Sequence, residues 1–417
     1  MSLEPFRIGF LPLVDAALPI LALELGFAEE EGIALKLVRD FSWATVRDRL
    51  IYGHSDAAHM VAPLAIATTL GLDSPAVPLS VPFVLGLNGN AITLTPSLAA
   101  AINGDAQGLS DPAESGRRFA AILSARVREG RKIRIGVVHR YSSHNYILRY
   151  WLAASGADVE RDVDIVTIAP PASADALATG EVDGICVGEP WNSVAVDRGV
   201  GTIVVVTAHI WRRGVEKVLA MATERMEGQP ELVHRVIRTL YKAGRAFIQP
   251  ERLDHIAEIL ARAEYLDGSA MLVKRAISDR IQLAAGADPI HVPDFMFQHR
   301  EAANFPWVSQ AAWLYAQMVQ AGHAVNCPQD YAAAQRVFRP DIYRGAFADS
   351  DVPLPGASAK LEGAIANATG VGTVQGRLVL GSDRFFDGRS FDPEQLEVYL
   401  SRTVPLQAPD SWSKPAR

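Results

Sequence analysis

The sequence predicts an α/β protein of two lobes, each built on a largely parallel sheet, with a mainly helical part toward the C-terminus. Three observations carry this. Arg7–Leu11, Ala16–Glu29 and Ile33–Val38 read strand, helix, strand, the order from which parallel sheets are built. The same pattern restarts at Ile133–Val138, which is followed by a helix and then by the strand Val163–Ile168. At 417 residues the chain also exceeds one core of ordinary size, so it divides.

Composition narrows the functional classes. Hydrophobic residues at 49% and charged residues at 21% describe an ordinary soluble domain. A net charge of −7 argues against a general nucleic-acid-binding surface, though not against a local anion site. No apolar run reaches the roughly 18 residues of a membrane span. Cys186 and Cys327 stand far apart and offer neither a disulfide framework nor a zinc knuckle. Phe6–Leu13 already reads as a strand, with no basic and apolar leader before it. If the chain starts here natively, the expected location is the cytoplasm; if it has been trimmed, the periplasm stays open.

Taken in order, each element offers a candidate ligand contact beside an ordinary structural role. Phe41-Ser42-Trp43 opens the helix Ala44–Tyr52 with Ser42 as N-cap, which puts Trp43 at a strand-to-helix junction. There it either packs or lies against a ligand. Asn88-Gly89-Asn90 is either a type I′ hairpin turn or a loop presenting the Asn90 amide to an anion. Thr95–Gly108 reads as a connection between lobes, and Pro112–Glu129 as a helix. His144 falls behind Ser142 and Ser143 near the start of a helix, where backbone N–H groups favour anions; a capped structural histidine is the alternative.

The stretch Ile185–Asn192, ICVGEPWN, runs from a buried strand into Gly188 and is stopped by Pro190. Such strand ends form the ligand crevice of open α/β sheets, or simply a plugged corner. Lys217 leads the strand Lys217–Thr223, as a surface lysine or as the positive charge of a pocket. From Met226 the apolar residues recur at helical spacing through Gln320.

Catalytic patterns are missing. There is no G-x-S-x-G elbow, no P-loop and no G-x-G-x-x-G opening a helix. His54, Asp56 and His59 could suggest a metal, but five-residue spacing suits neither a helix nor a strand face, and no further ligand is near. A binding protein without metal or cofactor is expected.

Several blocks resemble the nitrate/bicarbonate class of ABC-transporter solute-binding proteins, the NrtA/CmpA group. They are FSWATVRDRL at 41–50, AHMVAPL at 58–64, LNGNAITL at 87–94, SSHNYILRYWLAASG at 142–156, VDGICVGEPWN at 182–192 and EKVLAM at 216–221. The resemblance implies a hinged, two-lobed periplasmic-binding-protein fold of type II, with residues 1–94 and 217–417 in one lobe and 95–216 in the other. It implies a nitrate pocket of Trp43, Asn90, His144, Gly188 and Lys217, although the family often has Gln where Asn90 stands. Bicarbonate binders place an acidic group at the position of Lys217 and bridge through calcium, so lysine favours nitrate or nitrite and no metal. With no leader visible, the expected role is a cytoplasmic NasS-type sensor that sequesters an ANTAR-type antiterminator until nitrate or nitrite binds. The alternative is the binding component of an importer, with a membrane permease as partner.

Overall fold

The computed structural model describes residues 3–103 and 108–402. Two sheets form its two lobes. In the first, β1 (Glu4–Phe10) pairs in parallel with β2 (Ile33–Arg39) on one side and β3 (Ala57–Val61) on the other. Beyond β3 lie β10 (Val215–Ala222) and then β4 (Leu79–Asn88), both antiparallel contacts, with a short strand Met296–Phe297 at the edge. The second sheet repeats this plan. Here β6 (Ile133–Val137) pairs in parallel with β7 (Val163–Thr167) and β8 (Gly184–Gly188), followed by β5 (Asn90–Leu94) and β9 (Thr202–Val206).

The two sheets exchange strands. β5 sits between β8 and β9, and β10, arriving from the second lobe, sits between β3 and β4. The chain therefore crosses between lobes twice, first at Gly89 and again over residues 207–214. Asn88 and Gly89 have φ of 57° and 84°, as a type I′ turn would require, yet the flanking strands enter different sheets. The hairpin alternative is thereby set aside. For the same reason Asn90–Leu94, expected in the first lobe, pairs within the second sheet. The crossings hold each other: Asn88 N–H donates to the Gly214 carbonyl at 2.9 Å and its side-chain amide to the Arg212 carbonyl at 2.9 Å.

Local chemistry sets the helices. Ser42 accepts from Thr45 N–H at 3.2 Å and Ser142 from Asn145 N–H at 3.1 Å, so helices begin at Trp43 and Ser143. The expected helix Ala16–Glu29 is divided into Ala17–Glu24 and Phe27–Glu30, because Gly26 takes φ of 76°, which ends the first segment. The expected connection at 95–108 contains a helix, Pro96–Asn103, and its residues 104–107 lie outside the described residues. The C-terminal helices cover the first sheet. Pro230–Phe247 lays its apolar face on Ala17–Glu24, while Val308–Gln320 is buried against Ala62–Leu70. Trp211, in the second crossing, stacks on Phe385 at 5.0 Å and meets Trp313 at 4.5 Å, tying that crossing to the C-terminal part.

Gly89 is the residue on which the first crossing depends. A Cβ there would sit in the left-handed region and 2.9 Å from the Met296 methyl. That methyl can swing aside, so the backbone term dominates. Gly89→Ala is expected to destabilise the protein by about 1–2 kcal/mol, read from the urea unfolding midpoint.

Candidate functional site

Between the two sheets lies an enclosed polar cluster, and it contains all five residues singled out from the sequence. Trp43, Asn90, His144 and Lys217 are each 0–1% exposed, and Gly188 is buried with them. Trp43 and Lys217 come from the first lobe, Asn90, His144 and Gly188 from the second. The Lys217 ammonium stands 5.3 Å from the centre of the Trp43 ring. Asn90 and Gly188 are register partners on β5 and β8. A Cβ on Gly188 would fall 3.1 Å from Asn90 Oδ1, 3.2 Å from Leu13 and 3.3 Å from Asp15 Oδ2. Glycine is what lets the second lobe approach this closely.

The centre of the cluster is an ion-pair network that the sequence did not disclose. Lys217 Nζ lies 2.7 Å from Asp15 Oδ2 and 2.7 Å from Glu216 Oε1. Asp15 sits in the turn Val14–Ala16 and also bonds His59 Nε2 at 2.8 Å. Neighbours on a regular strand point to opposite faces, yet Glu216 and Lys217 converge, because β10 shifts register against β4 on both sides of Lys217. Glu216 Oε1 reaches on to His144 Nδ1 at 3.3 Å. His59, weighed as a metal ligand, instead bonds Asp15 and packs on Trp43 with ring centres 5.4 Å apart. Among the described residues no group of three metal-ligating side chains is assembled.

Burial and pairing set the charges. Burial opposes the Asp15 carboxylate, but Lys217 and His59 outweigh it and hold its pKa at about 2. Burial likewise opposes Glu216, and His144 and Lys217 bring it below the usual carboxylate range. Lys217 stays protonated, since its two carboxylates overcome the desolvation that would lower it. Burial drives His144 down to about 4, against the pull of Glu216, and lowers His59 as well. At neutral pH the cluster is thus one ammonium, two carboxylates and two neutral imidazoles. Trp43 Nε1, His59 Nδ1, His144 Nε2 and Asn90 Oδ1 are buried without a hydrogen-bond partner among the described residues. Rotating the Asn90 amide exchanges that oxygen for an NH₂ donor. Buried polar atoms are ordinarily satisfied, so their concentration at one place makes this cluster the candidate ligand site.

Glu189 follows Gly188 but does not enter the network. Its side chain accepts from Ser193 N–H at 3.2 Å, at the start of the helix Trp191–Asp197, and burial raises it to about 7. Its carbonyl accepts from Val14 N–H at 2.8 Å, and the Trp191 indole donates to the Pro12 carbonyl at 3.1 Å. The stretch read as a strand end is therefore a seam between the lobes. A second seam lies at the rim, where Asp73 meets Arg47 at 2.6 Å from its own lobe and His139 at 3.4 Å from the other.

Two lobes of exchanged sheets around an enclosed polar cluster define a two-lobed α/β protein of the type II periplasmic-binding-protein-like fold. The chain belongs to the NMT1-like family, which its residues 2–261 match. It is 28% identical over 402 residues to the nitrate/nitrite binding protein NrtA of Synechococcus elongatus, covering 94% of this chain and 84% of that one. It is 29% identical to the nitrate import ATP-binding protein NrtC of Synechocystis, covering 81% of this chain but 49% of that longer protein. The crystal structure of the periplasmic nitrate-binding protein NrtA from Synechocystis superposes with a TM-score of 0.83 at 22% identity, over 96% of this chain and 99% of that one. At family level the chain matches nitrate/nitrite and bicarbonate binding proteins at 28%, 25% and 24% identity over nearly its whole length, which supports a non-enzymatic function.

These likenesses correct two expectations. The cytoplasmic sensor and its antiterminator partner are set aside: the similar proteins are nitrate/nitrite binding proteins and ATP-binding proteins of nitrate import. The cytoplasmic location falls with it, because the similar solved protein is periplasmic. Both expectations drew on the start of the chain, which is a weak guide to where a protein works.

Asp15 has a folded pKa depressed below its unfolded value, so its stabilisation is present above about pH 4 and is lost as pH falls toward 2. Asp15→Asn leaves Lys217 with one partner and is expected to cost about 3 kcal/mol at neutral pH. It should also flatten the acid limb of stability against pH, measured by urea unfolding from about pH 2 to 7.

Proposed function

We propose that this protein is the substrate-binding component of an ABC-type importer and binds nitrate or nitrite between its lobes. The observation that carries the reading is the set of buried, unpartnered donors at Trp43 and His144 gathered around a fully buried lysine. Nitrate is flat, singly charged and weakly hydrated, and it accepts hydrogen bonds at each oxygen. Trp43 Nε1, His144 Nε2, the Asn90 amide and the Gly188 backbone N–H would donate to it, with Lys217 supplying the full positive charge. Enclosure by two lobes would strengthen each bond by removing competing water. Likeness to the nitrate/nitrite binding protein of Synechococcus elongatus supports the choice of ligand. Likeness to an ATP-binding protein of nitrate import supports a partnership with a transporter's permease and ATPase.

Calorimetric titration with nitrate, nitrite and bicarbonate tests the reading. Nitrate and nitrite are expected to bind and bicarbonate to bind more weakly. Lys217→Ala leaves Asp15 and Glu216 facing the anion and should weaken nitrate binding by about 100-fold or more. Unchanged affinity in that variant would remove this cluster from consideration as the site.

A further inference from the structure

The cluster carries more negative than positive charge. Asp15 and Glu216 each stand 2.7 Å from one ammonium, and both are ionised at neutral pH. An anion placed among them meets a repulsion that neutral donors alone do not remove. His144 is positioned to correct the imbalance. Its Nδ1 lies 3.3 Å from Glu216 Oε1, within reach of that charge, and both ring nitrogens are buried without a hydrogen-bond partner among the described residues.

A neutral imidazole has one N–H. With the hydrogen on Nε2, the ring can donate to an anion, but the Nδ1 lone pair then faces the Glu216 carboxylate. With the hydrogen on Nδ1, the Glu216 carboxylate is favoured by the N–H dipole, but the Nε2 lone pair faces the anion. Only the imidazolium donates in both directions. We infer that the site takes up one proton from solvent with each oxyanion, and that His144 holds it between Glu216 and the ligand. The inference rests on the oxyanion-binding reading above.

The groups facing His144 agree with this role. Glu216 on β10 and Asp15 from the first lobe favour the imidazolium, and Lys217 opposes it. Cys186 on β8 points its thiol toward the His144 carbonyl at 3.6 Å and is kept uncharged by burial. His59 is less suited, since its Nε2–H already meets Asp15 at 2.8 Å in the neutral ring. Without ligand, burial holds His144 at about 4, so the ring is neutral at ordinary pH. An anion at Nε2 raises it. Between these two values, nitrate affinity should fall about tenfold for each unit rise in pH.

The test is nitrate calorimetry at about pH 6 in buffers of differing ionisation heat, which counts protons taken up. About one proton per nitrate is expected in the unaltered protein, and close to none, with weaker binding, in His144→Gln. Nitrate binding without proton uptake would overturn the inference while leaving the functional reading intact. Uptake that persists in His144→Gln would overturn the assignment to His144. Should that variant not fold, the ring nitrogen shifts of His144 in the unaltered protein serve instead: a neutral ring in the nitrate complex overturns the proposal. No heat with any anion in any buffer would overturn the functional reading and this inference with it.

Discussion

A lysine ammonium with no access to solvent has to be surrounded by its own counter-charges, and Lys217 imposes that requirement on everything near it. The turn at Val14–Ala16 brings Asp15 to one side of it. Irregular pairing of β10 brings Glu216 to the other, against the alternation that a regular strand would impose. His59 then takes the outer oxygen of Asp15, while His144 approaches the same Glu216 oxygen that Lys217 contacts. The network has a consequence for recognition. A lone buried lysine would attract an anion by charge; a lysine already paired twice offers direction rather than surplus charge. Selection then falls to hydrogen-bond geometry and to size, which Gly188 and Asn90 set by their close approach.

The network is held by the way the chain passes between the lobes. One crossing is a single residue, Gly89, whose N–H donates to the Phe295 carbonyl at 2.7 Å and whose carbonyl accepts from Glu189 N–H at 3.2 Å. Asn90 follows directly and pairs with Gly188, so two members of the cluster are placed by the crossing itself. The return strand, β10, brings Lys217 and Glu216 back into the first sheet beside β3, which carries His59. Exchange of strands between sheets thus assembles the cluster from parts distant in sequence.

Much of this was legible in the residues. Alternation and helical spacing located the strands of both sheets, the Ser42 cap located the start of the Trp43 helix, and His144 was expected near the start of its own helix. The five expected residues do converge. What escaped was whatever depends on pairing across the molecule. Asn88-Gly89-Asn90 has the composition and the backbone angles of a hairpin turn, and only the partners of β4 and β5 separate turn from crossing. Asp15 sits in an apolar run, and Glu216 precedes a lysine whose neighbours on a regular strand should face away. A solitary carboxylate within an apolar run is the signal Asp15 carries; Glu216, beside Lys217, carries none.

The seam between the lobes at Val14 and Glu189 is written in main-chain atoms. An N–H to carbonyl bond asks nothing of the side chains at either position beyond the exclusion of proline at the donor. The Trp191 indole, too, is received by a backbone carbonyl, that of Pro12. Docking of the lobes is therefore separable from the identity of the groups they enclose. A lineage with this fold can exchange one pocket residue for another, and with it one solute for another, while the two halves continue to meet in the same register.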